Sequence, residues 1–246
     1  MTEMLSGMVL AAKDVDFYIK GLVKYKLFGQ ELWITTTHVG LFIVSVILII
    51  LMIVGHRIIV KADPMAKPKG LQNVLELFVS TIDNLVESIM GSNGKRFRNW
   101  ICAIFMFILF CNISGLFGLR PPTADYGVTF PLGIITFLII QINGIKAKKI
   151  QHFTNLFKPN PVLFPINLIG EVAVPLSLSL RLFGNIMSGT ILMGLIYGLL
   201  PTVLTIGIPS VIHVYCDIFS GAIQTYVFCM LTMVYVSNAC PPPEEG

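Results

Sequence analysis

The chain has 246 residues, of which 55% are hydrophobic and only 12% charged, against about 25% charged in an ordinary soluble domain. Too few polar groups remain to cover a water-soluble globule, and the same composition excludes intrinsic disorder, collagen-like repeats and a disulfide scaffold. With 17 basic and 13 acidic residues the net charge is only +4, so placement of the charges matters more than their sum. At about 20 residues per crossing, the expected fold is all-α: one polytopic membrane domain, about five transmembrane helices plus an interfacial amphipathic helix.

Residues 1–32 read as an N-terminal tail that mixes Glu3, Asp14 and Asp16 with Lys13, Lys20, Lys24 and Lys26. It does not resemble a signal peptide, and its acids argue against an organellar transit peptide. Span 1 is expected over 33–54, uncharged apart from His38 near its start, which reads as an interfacial or helix-packing group. A basic segment broken by Pro64 and Pro68 follows. Over 71–90, Leu71, Val74, Leu75, Phe78, Ile82, Leu85 and Ile89 recur at intervals of three and four, with Glu76, Asp83 and Glu87 among them. That pattern predicts an amphipathic helix with too many acids to cross the bilayer, lying in the interface or against the bundle.

Lys95, Arg96 and Arg98 precede span 2, expected over 100–119. The segment RPPTADYG then reads as a turn. Span 3 is expected over 128–144, with Pro131 in its first turn, where a missing N–H costs least. Residues 150–165 hold three prolines and read as a surface connection. Two long apolar stretches, 166–200 and 208–238, form an expected hairpin joined near Pro201 and Pro209, and CPPPEEG reads as a disordered end. The five cysteines show no metal spacing and read as buried, inert thiols.

Charge placement predicts orientation. Arg57, Lys61, Lys67, Lys69, Lys95, Arg96, Arg98, Lys146, Lys148, Lys149 and Lys158 fall in three loops, against Arg120 alone in the loop after span 2. The positive-inside rule makes those three loops cytoplasmic, the N-terminus external and the C-terminus cytoplasmic.

Ionisable groups within spans are the informative ones, since each costs about 2.5–3.5 kcal/mol at mid-helix on insertion scales. The last two stretches hold Glu171, Arg181, His213 and Asp217, with Ser177, Asn185, Ser188, Ser220 and Gln224 nearby. Ser177, Arg181, Asn185 and Ser188 share one helical face by spacing; His213, Asp217, Ser220 and Gln224 share another. An antiparallel hairpin would bring Arg181 level with Gln224, Asn185 with Ser220, and Ser188 with Asp217. Such faces line a polar passage. His213 and Asp217 can exchange protons with entering water, whereas a guanidinium keeps its charge and acts as a fixed barrier that attracts a carboxylate. No carboxylate of this chain lies at the level of Arg181, which implies a partner that supplies one. Single serines in spans also serve as helix-packing glue, and His213 with Asp217 lacks a third metal ligand.

PLSLSLRLFGNIMSG (Pro175 to Gly189) and AIQTYVFCMLTMVYVSNA (Ala222 to Ala239) resemble signature segments of subunit a of F-type ATP synthases, as do GLFGLRPPTADYGVT and PINLIGE. The resemblance covers most of residues 70–240. It implies a non-catalytic stator subunit that grips a rotating c-ring, alongside peripheral-stalk b subunits and the remainder of the synthase in the lipid bilayer. Two half-channels would deliver protons to and from a ring carboxylate. Arg181 matches the family's essential arginine, Asn185 and Gln224 its polar neighbours, and Glu171 an acidic position near the cytoplasmic end. Thr190 stands where many bacterial relatives carry Glu, and the position of Asp217 varies among relatives. This suggests that Asp217, helped by His213, takes over the outer relay. The resemblance places the protein in a bacterial cytoplasmic membrane, with no cofactor and no nucleic-acid partner.

A free-standing secondary transporter or channel would predict a repeated half, and none is seen. A membrane protease would need HExxH or GxSG, and ATP chemistry a GxxxxGK[ST] loop; none occurs in the sequence.

Overall fold

A computed structural model of the protein describes residues 21–27, 30–61, 70–117, 119–149, 154, 161–199 and 208–240. Most of the N-terminal tail, the two prolines at 64 and 68, the turn near 201–207 and the last six residues lie outside the described residues. Five described helical stretches are long and apolar enough to cross a membrane.

The first elements depart from the expected tail. Strands β1 (Gly21–Leu27) and β2 (Gln30–Thr35) pair antiparallel, with Lys24 opposite Trp33 and Lys26 opposite Glu31. The run LWIT alternates poorly for a helix and is rich in strand formers, so span 1 starts later than 33. Helix α1 (Thr36–Lys61) continues past residue 54 and carries His56, Arg57 and Lys61 on its last turns.

Helix α2 (Leu71–Met90) occupies the stretch of amphipathic periodicity and buries Ile82, Val86 and Met90 against the bundle. Gly91, at φ 54°, adopts a left-handed conformation that a side chain would resist. This turns the chain through a short 3₁₀ segment (Gly91–Asn93) into α3 (Gly94–Ile113). The segment 91–99, expected as a loop, is thus mostly helix; Lys95, Arg96 and Arg98 ride on its first turns. Arg98 reaches back to Asp83 of α2 at 3.1 Å, and Phe78 packs on Phe105 with ring centroids 5.8 Å apart. The two helices therefore dock as an antiparallel pair.

After 3₁₀ turns at Ser114–Phe117 and Pro122–Ala124, α4 runs Tyr126–Lys148. Asp125 caps it by accepting the Gly127 N–H at 2.9 Å. Because the helix begins at Tyr126, Pro131 falls inside it and not in the first turn. Helix α5 (Phe164–Leu199) is the longest, with Pro175 inside it. The last span is built of three pieces: α6 (Ile208–His213), a π-helical segment (Val214–Ser220) and α7 (Gly221–Ala239).

The core is one cluster that joins α2, α3, α4, α5 and α7. Ile101, Ile108, Leu182, Phe228, Cys229 and Met233 are among its most deeply buried members. Of the five cysteines, Cys111 and Cys229 are buried, and Cys102, Cys216 and Cys240 are only half-buried; all five are free.

Helices α4 and α5 approach closely where Gly133 faces Pro175: a Cβ at 133 would stand 2.6 Å from the Pro175 carbonyl oxygen. Backbone cannot yield as a side chain does. Gly133→Ala is therefore expected to destabilise the protein by about 1–3 kcal/mol, seen as a lowered Tm in detergent; an unchanged Tm would contradict this packing.

Candidate functional site

The singled-out side chains fall into three places along α5. Arg181 lies on an exposed face with Ser177 and Ser188, and Leu180, Ile191, Leu192 and Leu195 complete an otherwise apolar surface. Leu178, Leu182 and Ile186 on the opposite side are buried in the bundle. Helical periodicity thus turns the guanidinium outward, away from this chain's own core.

One turn further on, Asn185 meets the last span. The Ser220 hydroxyl donates to Asn185 Oδ1 at 3.1 Å, and Asn185 Nδ2 donates to the Ser220 carbonyl at 3.5 Å. This is the level match expected for that pair. The same register sets Gly189 against Cys216, where a Cβ at 189 would stand 3.6 Å from the Cys216 Cβ; no side-chain hydrogen bond joins the other two pairs among the described residues. Gln224 is buried at 7% exposure while Arg181 is exposed, and the Ser188 hydroxyl donates to its own helix at the Asn185 carbonyl, 2.8 Å.

A π-helical segment divides the polar residues of the last span among different faces. A regular helix would keep His213, Asp217, Ser220 and Gln224 on one face. The wider turn of Val214–Ser220 shifts the register between its two ends. Ser220 faces Asn185, Gln224 turns inward, and His213 with Asp217 faces a cavity. The expectation of a single polar face on this span is therefore corrected.

That cavity, of about 340 Å³, is lined by Gly115, Arg120, Pro121, Gly189, Thr190, Met193, His213 and Asp217 among others. His213 Nδ1 stands 2.9 Å from Asp217 Oδ2, with the carboxylate the more buried of the two. Asp217 nests against the 3₁₀ turn: a Cβ on Gly115 would lie 3.1 Å from the Asp217 carboxyl carbon. A side chain at 115 would press on that carboxyl and make it give by a few tenths of an ångström. Thr190 faces the same cavity, its hydroxyl donating to the Ile186 carbonyl at 2.9 Å.

Glu171 lies on the other side of Arg181, about 15 Å along α5 at 1.5 Å per residue. It is half-buried and accepts a hydrogen bond from Gln141 Nε2 of α4. Arg181 thus separates two polar regions, one beside the turns that follow α3 and one toward the basic end of α4.

Several contributors were not singled out from sequence. Gln141 is one of two amides in span 3, with Asn143, and its polarity is visible in the sequence, but its partner is not. Asn112, fully buried, donates to the Gly221 carbonyl at 3.1 Å and to Thr225 Oγ1 at 3.3 Å, and accepts from Thr123 Oγ1 at 2.8 Å. It pins α3 and the 122–124 turn to the start of α7, just past the π segment, in a setting where unsatisfied polar groups are costly. Gly115 and Arg120 entered the site through loop geometry that no local pattern encodes.

These features define an integral membrane protein whose last two spans carry a discontinuous polar path interrupted by one exposed basic side chain. The family described as ATP synthase A chain matches residues 39–237. The chain belongs to that family. It is similar to ATP synthase subunit a of Moorella thermoacetica, 36% identical over 173 residues, covering 70% of this chain and 77% of that one. It is also similar to the sodium ion specific subunit a of Propionigenium modestum, 35% identical over 189 residues, 70% of this chain and 64% of that one. With ATP synthase subunit a 1 of Syntrophotalea carbinolica the identity is 33% over 230 residues, 90% and 95% of the two chains. The protein is accordingly a non-catalytic, ion-translocating stator subunit of the Fo sector that works within the ATP synthase complex, with catalysis in the F1 sector.

Proposed function

We infer that this subunit carries protons through two half-channels that meet at Arg181. The observation that carries the reading is the position of Arg181, a lone cation on an exposed apolar face between two polar regions. A charge presented to lipid is costly, and a ring of small subunits bearing a carboxylate at that depth would neutralise it. The face of α5 with Ser177, Arg181 and Ser188 is then the c-ring contact. Peripheral-stalk b subunits and lipid cover other faces.

In this reading Arg57 and Lys61 of α1, Lys95, Arg96 and Arg98 of α3, and Lys146, Lys148 and Lys149 lie on the cytoplasmic side of the bacterial cell membrane. The N-terminus is outside and the C-terminus inside. Protons enter the cavity of Thr190, His213 and Asp217 from outside and pass by way of Asn185 and Ser220 to the ring carboxylate. They leave past Gln141 and Glu171 after a turn of the ring. Gln224 packs behind this path as a polar neighbour. Arg181 holds the arriving carboxylate in its ionised form and bars a direct proton leak.

Coupling to protons is supported by the cavity's chemistry. His213 with Asp217 forms a pair suited to passing a proton, while His213 and Arg120 are poor neighbours for a hard cation such as sodium, which oxygen ligands suit better. The complete synthase reconstituted in vesicles is expected to make ATP after an acid–base jump in sodium-free buffer. Synthesis that needs a sodium gradient would overturn proton coupling.

A further inference from the structure

Two walls of the cavity around Asp217 are tied to one buried amide, Asn112, in the last turn of α3. We propose that Asn112 is a positioning residue for the proton path: it holds the last span in its π-helical register and so keeps the Asp217 carboxyl in the cavity. The role rests on the reading of Asp217 as a proton carrier.

A π-helical turn needs something to hold it, because such turns are rare and a regular helix is the default for the same residues. Val214–Ser220 runs directly into Gly221, and α3 with its 3₁₀ extension meets the last span on both sides of that junction. On one side, Asn112 Nδ2 donates to the Gly221 carbonyl at 3.1 Å and to Thr225 Oγ1 at 3.3 Å. A Cβ on Gly221 would stand 3.0 Å from the Asn112 Cβ, so the two backbones are already close. The Thr225 hydroxyl donates to the same Gly221 carbonyl at 2.8 Å. On the other side, Gly115 lies against the Asp217 carboxyl. Residues 112 and 115 thus fix residues 221 and 217 together. A return to regular helix would turn one of these points by about 100° per residue of shift relative to the other. It would also leave the Asn112 amide without its acceptors in the bundle interior, where an unsatisfied polar group is costly.

The other wall hangs on the same side chain. Thr123, fully buried, donates to Asn112 Oδ1 at 2.8 Å, and Arg120 and Pro121, just ahead of it, line the cavity. Asn112 does not line the cavity itself. It acts by fixing the place of Asp217 relative to the 120–124 turn, and it carries no proton.

The full synthase in vesicles tests register and function together. Gly189→Cys sets a thiol opposite the native Cys216, with the Cβ atoms 3.6 Å apart, within the range of about 3.5–4.5 Å found in disulfides. Mild oxidation is expected to link the two, read by mass spectrometry as joined peptides per assembled complex. Adding Asn112→Leu, a side chain of similar size, is expected to cut the linked fraction about tenfold, since Cβ vectors that point apart do not bridge. With Gly189 intact, Asn112→Leu is expected to lower ATP synthesis about tenfold, short of the loss on removing the proton carrier itself. Combined with Asp217→Asn it should cost less than about twofold more, because both changes act on one step; a merely structural defect would add in full. Thr225→Val, which removes one hydroxyl of the clamp, is expected to move both readouts the same way by about threefold, and it carries the test if Asn112→Leu does not assemble. An unchanged linked fraction, or losses that add in full with Asp217→Asn, would overturn the role of Asn112 alone. Full synthesis in Asp217→Asn would overturn the relay, and this role with it.

Discussion

Arg181→Ala is expected to abolish proton-driven ATP synthesis in inverted membrane vesicles, by a factor of at least about a hundred. Removing one partner of a desolvated ion pair costs about 3–5 kcal/mol, or about two to three and a half powers of ten. Here the partner is the ring carboxylate. Without a cation opposite it, the carboxylate keeps its proton at the exit position, and the ring has no reason to release it to the inner side. The exposed setting of Arg181 matters to this outcome: no carboxylate of this chain is paired with it among the described residues, so its loss should leave the fold of the subunit intact. Arg181→Lys is expected to fail as well, because an ammonium lacks the planar fork and loses its charge more readily in a low dielectric. Each proton crossing 100 mV carries about 2.3 kcal/mol, so several must be summed for one ATP and even a modest leak past residue 181 uncouples the machine. Assembled complex with normal ATP yield in Arg181→Ala would sink the assignment.

The second large effect is expected for Asp217→Asn. Asparagine keeps the shape of the side chain, fits against Gly115 and can still hydrogen-bond His213, but it cannot carry a proton. Synthesis should fall about a hundredfold, at the low end of the factor that a positioned proton-transfer group contributes, with the complex still assembled. Thr190 makes the test sharper. It lines the same cavity, so Thr190→Glu in the Asp217→Asn background would restore a carboxylate to the path from the neighbouring helix. Recovery of ATP synthesis in that double variant is the expected result. Full activity in Asp217→Asn alone would show that the relay runs elsewhere.

Much of this protein is legible in its residues. The apolar runs mark the spans because helix length must match the bilayer, and the three-and-four spacing of Leu71 to Ile89 marks α2 because periodicity follows from helical geometry. Arg181 stands out for the same reason: a charge in an apolar span is costly enough to demand a function. The alternation in residues 21–35 was harder to see, since strand pairing depends on a partner strand and the stretch lay beside a strong helical signal.

Which polar side chains meet is a different matter. His213, Asp217, Ser220 and Gln224 look equivalent on a regular helix, and only the packing of α3, the 122–124 turn and α5 around Val214–Ser220 settles that they are not. Asn112 reaches Gly221 across 109 positions of sequence, and Gln141 reaches Glu171 across 30. The sequence by itself determined the membrane class, the number of spans and the candidate residue for the centre of the proposed ion path, because each follows from local hydropathy and the cost of a buried charge. The tertiary structure alone decided that Arg181 faces outward, that Thr190, His213 and Asp217 share one cavity and that Gly115 makes room for a carboxyl, because close packing between distant segments fixes those positions.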